Sequence, residues 1–161
     1  MKRFLTTTIL LALFPPAFAL DAACDPLLKA SEAKLAQVAW HSVTESTGIK
    51  LEAIKVDGQF FMQIDGKWKK FPVDIMDKAE KTAITQMQDG SIKVTNCKDE
   101  GSKTVDGMEM TVLSYTSEVP ESGVPAENAK LYIGKDDGLP YKNSSENATA
   151  TYHYKDVVAP K

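Results

Sequence analysis

Five Asp-Gly pairs punctuate the sequence, at Asp57-Gly58, Asp65-Gly66, Asp89-Gly90, Asp106-Gly107 and Asp137-Gly138. Both residues tolerate the positive φ of a type I′ turn, so each pair is a strong hairpin signal. The intervals between them have strand length. Strands are predicted over 43–46, 50–56, 59–64 and 67–73 as a meander, then over 91–96, 108–118, 129–133, 141–145 and 148–156. Alternation puts Phe60, Met62 and Ile64 on one face, with Gln59, Phe61 and Gln63 on the other. Met108, Met110 and Val112 share a face in the same way, as do Ala150, Tyr152 and Tyr154. Residues 120–128 hold two prolines and a glycine and are expected to form a loop.

Two segments break the strand pattern. Residues 74–88 contain neither glycine nor proline, and Ile75, Met76, Ala79, Ala83 and Met87 approximate one helical face. Upstream, Asp25 can cap a helix and Pro26 suits its first position. That helix is expected over 26–39, with Leu28, Leu35, Val38 and Ala39 inward and Lys29, Glu32 and Gln37 outward. The fold class is therefore α+β, a curled antiparallel sheet of about eight or nine strands covered by an N-terminal and an inserted helix.

The start of the chain reads as an address. Met1-Lys2-Arg3 is basic, an apolar run follows to Phe14, and Ala17-Phe18-Ala19 is a small-x-small site. These are the parts of a secretory signal peptide over 1–19, which implies export to the periplasm. Residues 20–161 would then form a single domain of 142 residues, enough to bury a core unaided. No other apolar run approaches the roughly 18 residues of a membrane helix, so no transmembrane segment is expected. Cys24 and Cys97 are the two cysteines, and an even count in an exported chain suggests a disulfide. Lipid attachment at Cys24 is the rival reading, but Asp21 occupies the position where lipoprotein signals want an aliphatic residue.

Removing 1–19 leaves 17 lysines against 22 acidic residues, a net charge of −5, and no arginine, because Arg3 is the only one. Without arginine's bidentate grip on phosphate and guanine, an acidic chain is poorly suited to nucleic acid. Catalytic patterns are missing too. His41 and His153 lack metal spacing, Ser114 and Ser144 lack a nucleophile elbow, and no phosphate loop occurs. No cofactor, metal or enzymatic activity is expected. Met108-Glu109-Met110 is too sparse for copper. Lys67-Trp68-Lys69-Lys70 suits the protection of a sheet edge. Asn143-Ser144-Ser145 and Asn147-Ala148-Thr149 match the glycosylation pattern by chance.

One segment carries a family likeness. The run from Tyr132 through Gly134, Asp137-Gly138-Leu139-Pro140 to Lys142, followed by the strand ending Tyr154-Lys155-Asp156-Val157, resembles the ending of the LolA-like superfamily, the periplasmic outer-membrane lipoprotein carriers and their relatives. The entry Lys103-Thr104-Val105-Asp106-Gly107-Met108 is similar to that family's approach to its central long strand. The resemblance implies a half-open barrel with helices over its mouth, enclosing an apolar cavity for acyl chains. Mapped by alternation, Phe60, Met62, Ile64, Met110, Val112, Tyr152 and Tyr154 would line it, with Met76 and Met87 contributed by the lid helix. The family's carriers place an arginine near the cavity. A chain without one is expected to bind some other lipid or apolar ligand.

Two functions follow as expectations. The first is a non-enzymatic periplasmic protein that holds an acyl chain or similar ligand between sheet and helices. The second is a protein-interaction module, an inhibitor or envelope-stress partner, with an exposed apolar patch near Pro120 and Pro125.

Overall fold

The structure, a computed structural model, describes residues 20–120 and 122–161. The expected signal peptide, 1–19, lies outside the described residues. Three of the Asp-Gly pairs close two-residue hairpins. Asp57 and Gly58 have φ of 51° and 67°, Asp65 and Gly66 51° and 71°, and Asp106 and Gly107 51° and 78°. They join β2 (Ile49–Val56) to β3 (Gln59–Ile64), β3 to β4 (Lys67–Pro72), and β5 (Lys93–Val105) to β6 (Met108–Glu118). Asp137-Gly138 sits in the longer turn between β7 (Glu127–Gly134) and β8 (Pro140–Ser145). There the Asp137 carboxylate accepts from the Leu139 amide at 3.0 Å and the Tyr141 hydroxyl at 2.6 Å. Asp89-Gly90 is different. It ends a helix, with Gly90 at φ 81° as the left-handed cap. A positive-φ glycine serves a hairpin and a helix end equally well, so that one pair does not mark a strand turn.

The described residues form one sheet of nine antiparallel strands in the order β4-β3-β2-β1-β9-β8-β7-β6-β5, where β1 is Trp40–Ser46 and β9 is Ala148–His153. Pairing of β1 with β9 joins the N-terminal meander to the C-terminal strands. β4 and β5 remain as the two edges, so the sheet curls without closing. On edge strand β4, Lys67, Lys69 and Lys70 are exposed, the arrangement that discourages edge-to-edge pairing.

β5 is much longer than the predicted 91–96. It continues through a polar stretch to Val105 and crosses two register shifts against β6. Asn96, at φ 55°, and Gly101, at φ 89°, stand in those shifts, and bulges of this kind bend an edge strand.

Two helices pack on the concave face. α1 spans Asp25–Leu35, shorter than predicted, and buries Leu27 and Ala30 in place of the expected Leu28 and Val38. Val38 lies beyond the helix and is exposed. α2 spans Val73–Asp89, in close agreement with the predicted 74–88. Asp74 in its first turn complements the helix dipole.

The Cys24–Cys97 disulfide joins the residue preceding α1 to β5, with Cα atoms 5.2 Å apart. The Cys24 sulfur that a lipid would require is therefore engaged. Around the bridge lies one core cluster, formed by Leu27, Ala30, Val94, Leu113, Leu131 and Ile133. The other centres on Trp40, Ala53 and Phe60 at the β1–β4 end.

Candidate functional site

Register identifies which sheet face the helices cover. Leu113 pairs with Leu131 and Tyr115 with Ala129, and Leu131 in turn opposes Asn143. These side chains share the concave face with Ser42, Tyr152, Ala53 and Met62, which are linked through the β9-β1-β2-β3 pairing. Where α1 and α2 bridge this concave surface, a cavity of about 300 Å³ remains. That is the lower end of the range for small-molecule pockets. Its apolar wall is Leu27 of α1, Ala83, Ile84 and Met87 of α2, and Ile92, Val94 and Leu131 from the chain entering β5 and from β7. A larger recess of about 500 Å³ on the outer face is lined mostly by polar residues such as Asn96, Ser114, Asn128 and Ser144, so it offers an apolar ligand less.

One side of the cavity is polar, and Lys34, Glu80, Tyr115 and Asn143 there are paired with one another. Tyr115 and Asn143 bond across the sheet, with the hydroxyl donating to Asn143 Oδ1 at 3.1 Å and Asn143 Nδ2 donating to the hydroxyl at 2.9 Å. Lys34 of α1 donates to Glu80 of α2 at 2.5 Å. The same ammonium lies 4.0 Å from the centre of the Trp40 ring and 5.5 Å from that of Tyr152, a cation–π arrangement. Nearby, Lys55 on β2 donates to Asp77 of α2 at 2.7 Å. These two ion pairs tie α2 to α1 and to the sheet.

Burial shifts Lys34 and two of the cavity's tyrosines. It lowers the pKa of Lys34 below the ordinary lysine value, and the adjacent Glu80 works against that shift. Burial pushes Tyr152 up to about 12 and raises Tyr115, so both hydroxyls keep their protons at neutral pH.

The nine residues expected to line a cavity fall into four places. Met87 and Tyr152 line this one. Phe60, Met62, Met76 and Tyr154 gather around Trp40 in the second cluster. Ile64 ends β3 opposite Lys67, half-buried. Met110 and Val112 are buried on the opposite face of the sheet, paired with Gly134 and Tyr132, and Met110 lines a second recess of about 310 Å³ together with Tyr152 and Tyr154. Leu27, Ile84, Leu131 and the whole polar side were not among the expected lining residues. The two apolar faces of β6 look alike by alternation. Lysine and glutamate on helices ordinarily signal a solvated face.

Trp40 has a feature of its own. Its indole Nε1 is buried and has no hydrogen-bond partner among the described residues. A buried unpaired donor costs roughly 1–3 kcal/mol. Trp40→Phe removes that cost while losing ring area, so the two effects oppose each other. The expected change in unfolding free energy is under about 1 kcal/mol, well below the usual penalty for trimming a core aromatic. Urea denaturation would measure it.

No protein-family model matches the sequence, and no curated protein matches it. Solved structures do match the fold. The lipoprotein LppX of Mycobacterium tuberculosis superposes with a TM-score of 0.58 at 13% identity, over 86% of this chain and 98% of that one. LprF of Mycobacterium bovis superposes at 0.55, again at 13% identity, over 86% and 96%. Identity that low speaks to the fold alone. The fold they share with this chain is a half-open antiparallel barrel with two helices over its concave face, the architecture expected from the strand pair at Tyr132 to Lys142.

Proposed function

We propose that this chain is an exported, non-catalytic binding protein that holds one acyl chain, or a similar apolar segment, between its sheet and its helices. The observation that carries the reading is the cavity of about 300 Å³ walled by Leu27, Ile84, Met87, Val94 and Leu131. Each methylene moved from water onto such a wall contributes about 0.8 kcal/mol. An acyl chain therefore binds by burial, with Tyr152 and Lys34 at its polar end. Exchange requires α2 to move, because that helix forms one wall and is held by the Lys34–Glu80 and Lys55–Asp77 pairs.

A non-catalytic role is supported by how Ser31, a hydroxyl on the cavity wall, is bonded. Ser31 and Lys34 stand one turn apart on α1 and both line the cavity. Ser31 donates to the Leu27 carbonyl at 3.0 Å and Lys34 donates to Glu80, so the two do not form a serine–lysine pair. Export to the periplasm is supported by the basic, apolar and small-residue order of 1–19 and by a disulfide, which suits an oxidising compartment. The alternative, a partner-binding module, draws support from Val119 and Val124, which are exposed between β6 and β7.

Ala83→Trp provides the test. Ala83 faces the cavity from α2, so an indole there fills the space. The uncharged dye N-phenyl-1-naphthylamine is expected to bind the wild type and to bind Ala83→Trp at least about tenfold more weakly, a loss of about 1.4 kcal/mol or more. Circular dichroism should show the same fold in both. Equal dye binding by the two proteins would place the ligand elsewhere.

A further inference from the structure

The polar side of the cavity has a charge balance that discriminates among apolar ligands. Four ionisable side chains meet where α1, α2 and β2 converge: Lys34 with Glu80 at 2.5 Å, and Lys55 with Asp77 at 2.7 Å. Two ammonium groups and two carboxylates cancel. The side chains of Lys34 and Glu80 are 14% and 26% exposed, so water screens their interaction only partly. The Lys34 ammonium thus already has its counter-ion, and the tyrosines beside it, Tyr115 and Tyr152, stay neutral because burial raises both.

A ligand head arriving here meets spare donors and no spare charge. Lys34 has three N–H groups and gives one to Glu80. The Tyr152 hydroxyl is a protonated donor on the same wall. An ester carbonyl can accept from these donors and leaves the balance at zero. An ionised carboxylate would bring a second anion to an ammonium that Glu80 already occupies, and one of the two anions would be left without a counter-ion in a partly desolvated site.

Resting on the acyl-binding reading, we propose that the cavity selects acyl chains with an uncharged hydrogen-bond-accepting head, an ester, over ionised fatty acids, and that Glu80 is the residue that sets this preference. Glu80 acts by occupying Lys34, so it is a specificity-determining residue. Its isosteric amide keeps the shape and removes the charge.

A matched pair of fluorescent probes tests this: cis-parinaric acid and its methyl ester, which share one chain and differ at the head. At about pH 8, well above the ordinary carboxyl range, the acid is ionised. The wild type is expected to bind the ester about tenfold or more tightly than the acid. In Glu80→Gln the freed ammonium should raise binding of the acid relative to the ester by about tenfold. Equal affinity of the wild type for the two probes would overturn the selectivity while leaving acyl binding standing. An acid-to-ester ratio unchanged by Glu80→Gln would remove Glu80 from its role. Binding of neither probe would sink the acyl-binding reading, and the selectivity with it. The wild-type ratio needs no variant, so a Glu80→Gln protein that fails to fold would not protect the proposal.

Discussion

Replacing both cysteines, Cys24→Ala together with Cys97→Ala, is expected to lower the unfolding free energy by about 4 kcal/mol. The bridge spans 73 residues, and closing a loop of that length removes a large part of the unfolded chain's freedom. The span includes α1, the whole β1–β4 meander and α2. Few other contacts anchor α1 directly to the β5 edge. Cys24 is fully buried in the cluster with Leu27, Leu113 and Leu131, so its removal also loosens the floor of the cavity. Urea denaturation should show the loss, and the melting temperature should fall by roughly 10 °C or more. A change below about 1 kcal/mol would mean that packing alone already holds α1 to the sheet.

Phe60→Ala is expected to cost about 3–5 kcal/mol, the usual range for emptying a buried aromatic site. Phe60 is 2% exposed and packs edge-on against Trp40 at 5.8 Å and Phe71 at 6.3 Å between ring centres. The three rings stand at register-paired positions on β1, β3 and β4, with Lys55 of β2 between them, so the strand pairing itself builds the stack. The same substitution should change N-phenyl-1-naphthylamine affinity by less than about threefold, because Phe60 belongs to the second cluster and not to the cavity wall. A large stability loss with intact binding is the signature of a core residue. A loss of binding without a loss of stability would return Phe60 to the ligand site.

The disulfide and Phe60 also show what the sequence could and could not disclose. The disulfide followed from an even cysteine count in a chain with an export address. The hairpins followed from aspartate and glycine at positions of positive φ, and α2 from a glycine- and proline-free stretch with helical spacing. Each of these signals is local. The long β5 was hidden because Lys98 to Thr104 is polar on both faces, and an edge strand facing water shows no alternation to detect. Met110 and Val112 were placed with the ligand because they alternate, but so do Leu113 and Tyr115 on the other face of the same strand. Which face a helix covers is decided by tertiary packing, and a strand buried on both sides carries no mark of it. The polar wall was invisible for a related reason. Lys34 and Glu80 sit 46 residues apart on two helices, and only the packing of α1 on α2 brings them together.

The cavity itself is a consequence of curvature. A curled sheet presents a concave surface wider than two helices can fill with side chains. α1 contributes only Leu27 and Ala30 as fully buried residues, and α2 only Ile84. The recess that remains is open on one side and mostly apolar, the form of a site that can receive an apolar segment. The measurement that tests this most directly is the mass of the protein as cells release it, recorded under non-denaturing conditions. The wild type is expected to carry the added mass of one lipid, lost on extraction with organic solvent, and Ala83→Trp to emerge bare. Wild-type protein at its bare mass, with no dye binding, would contradict it.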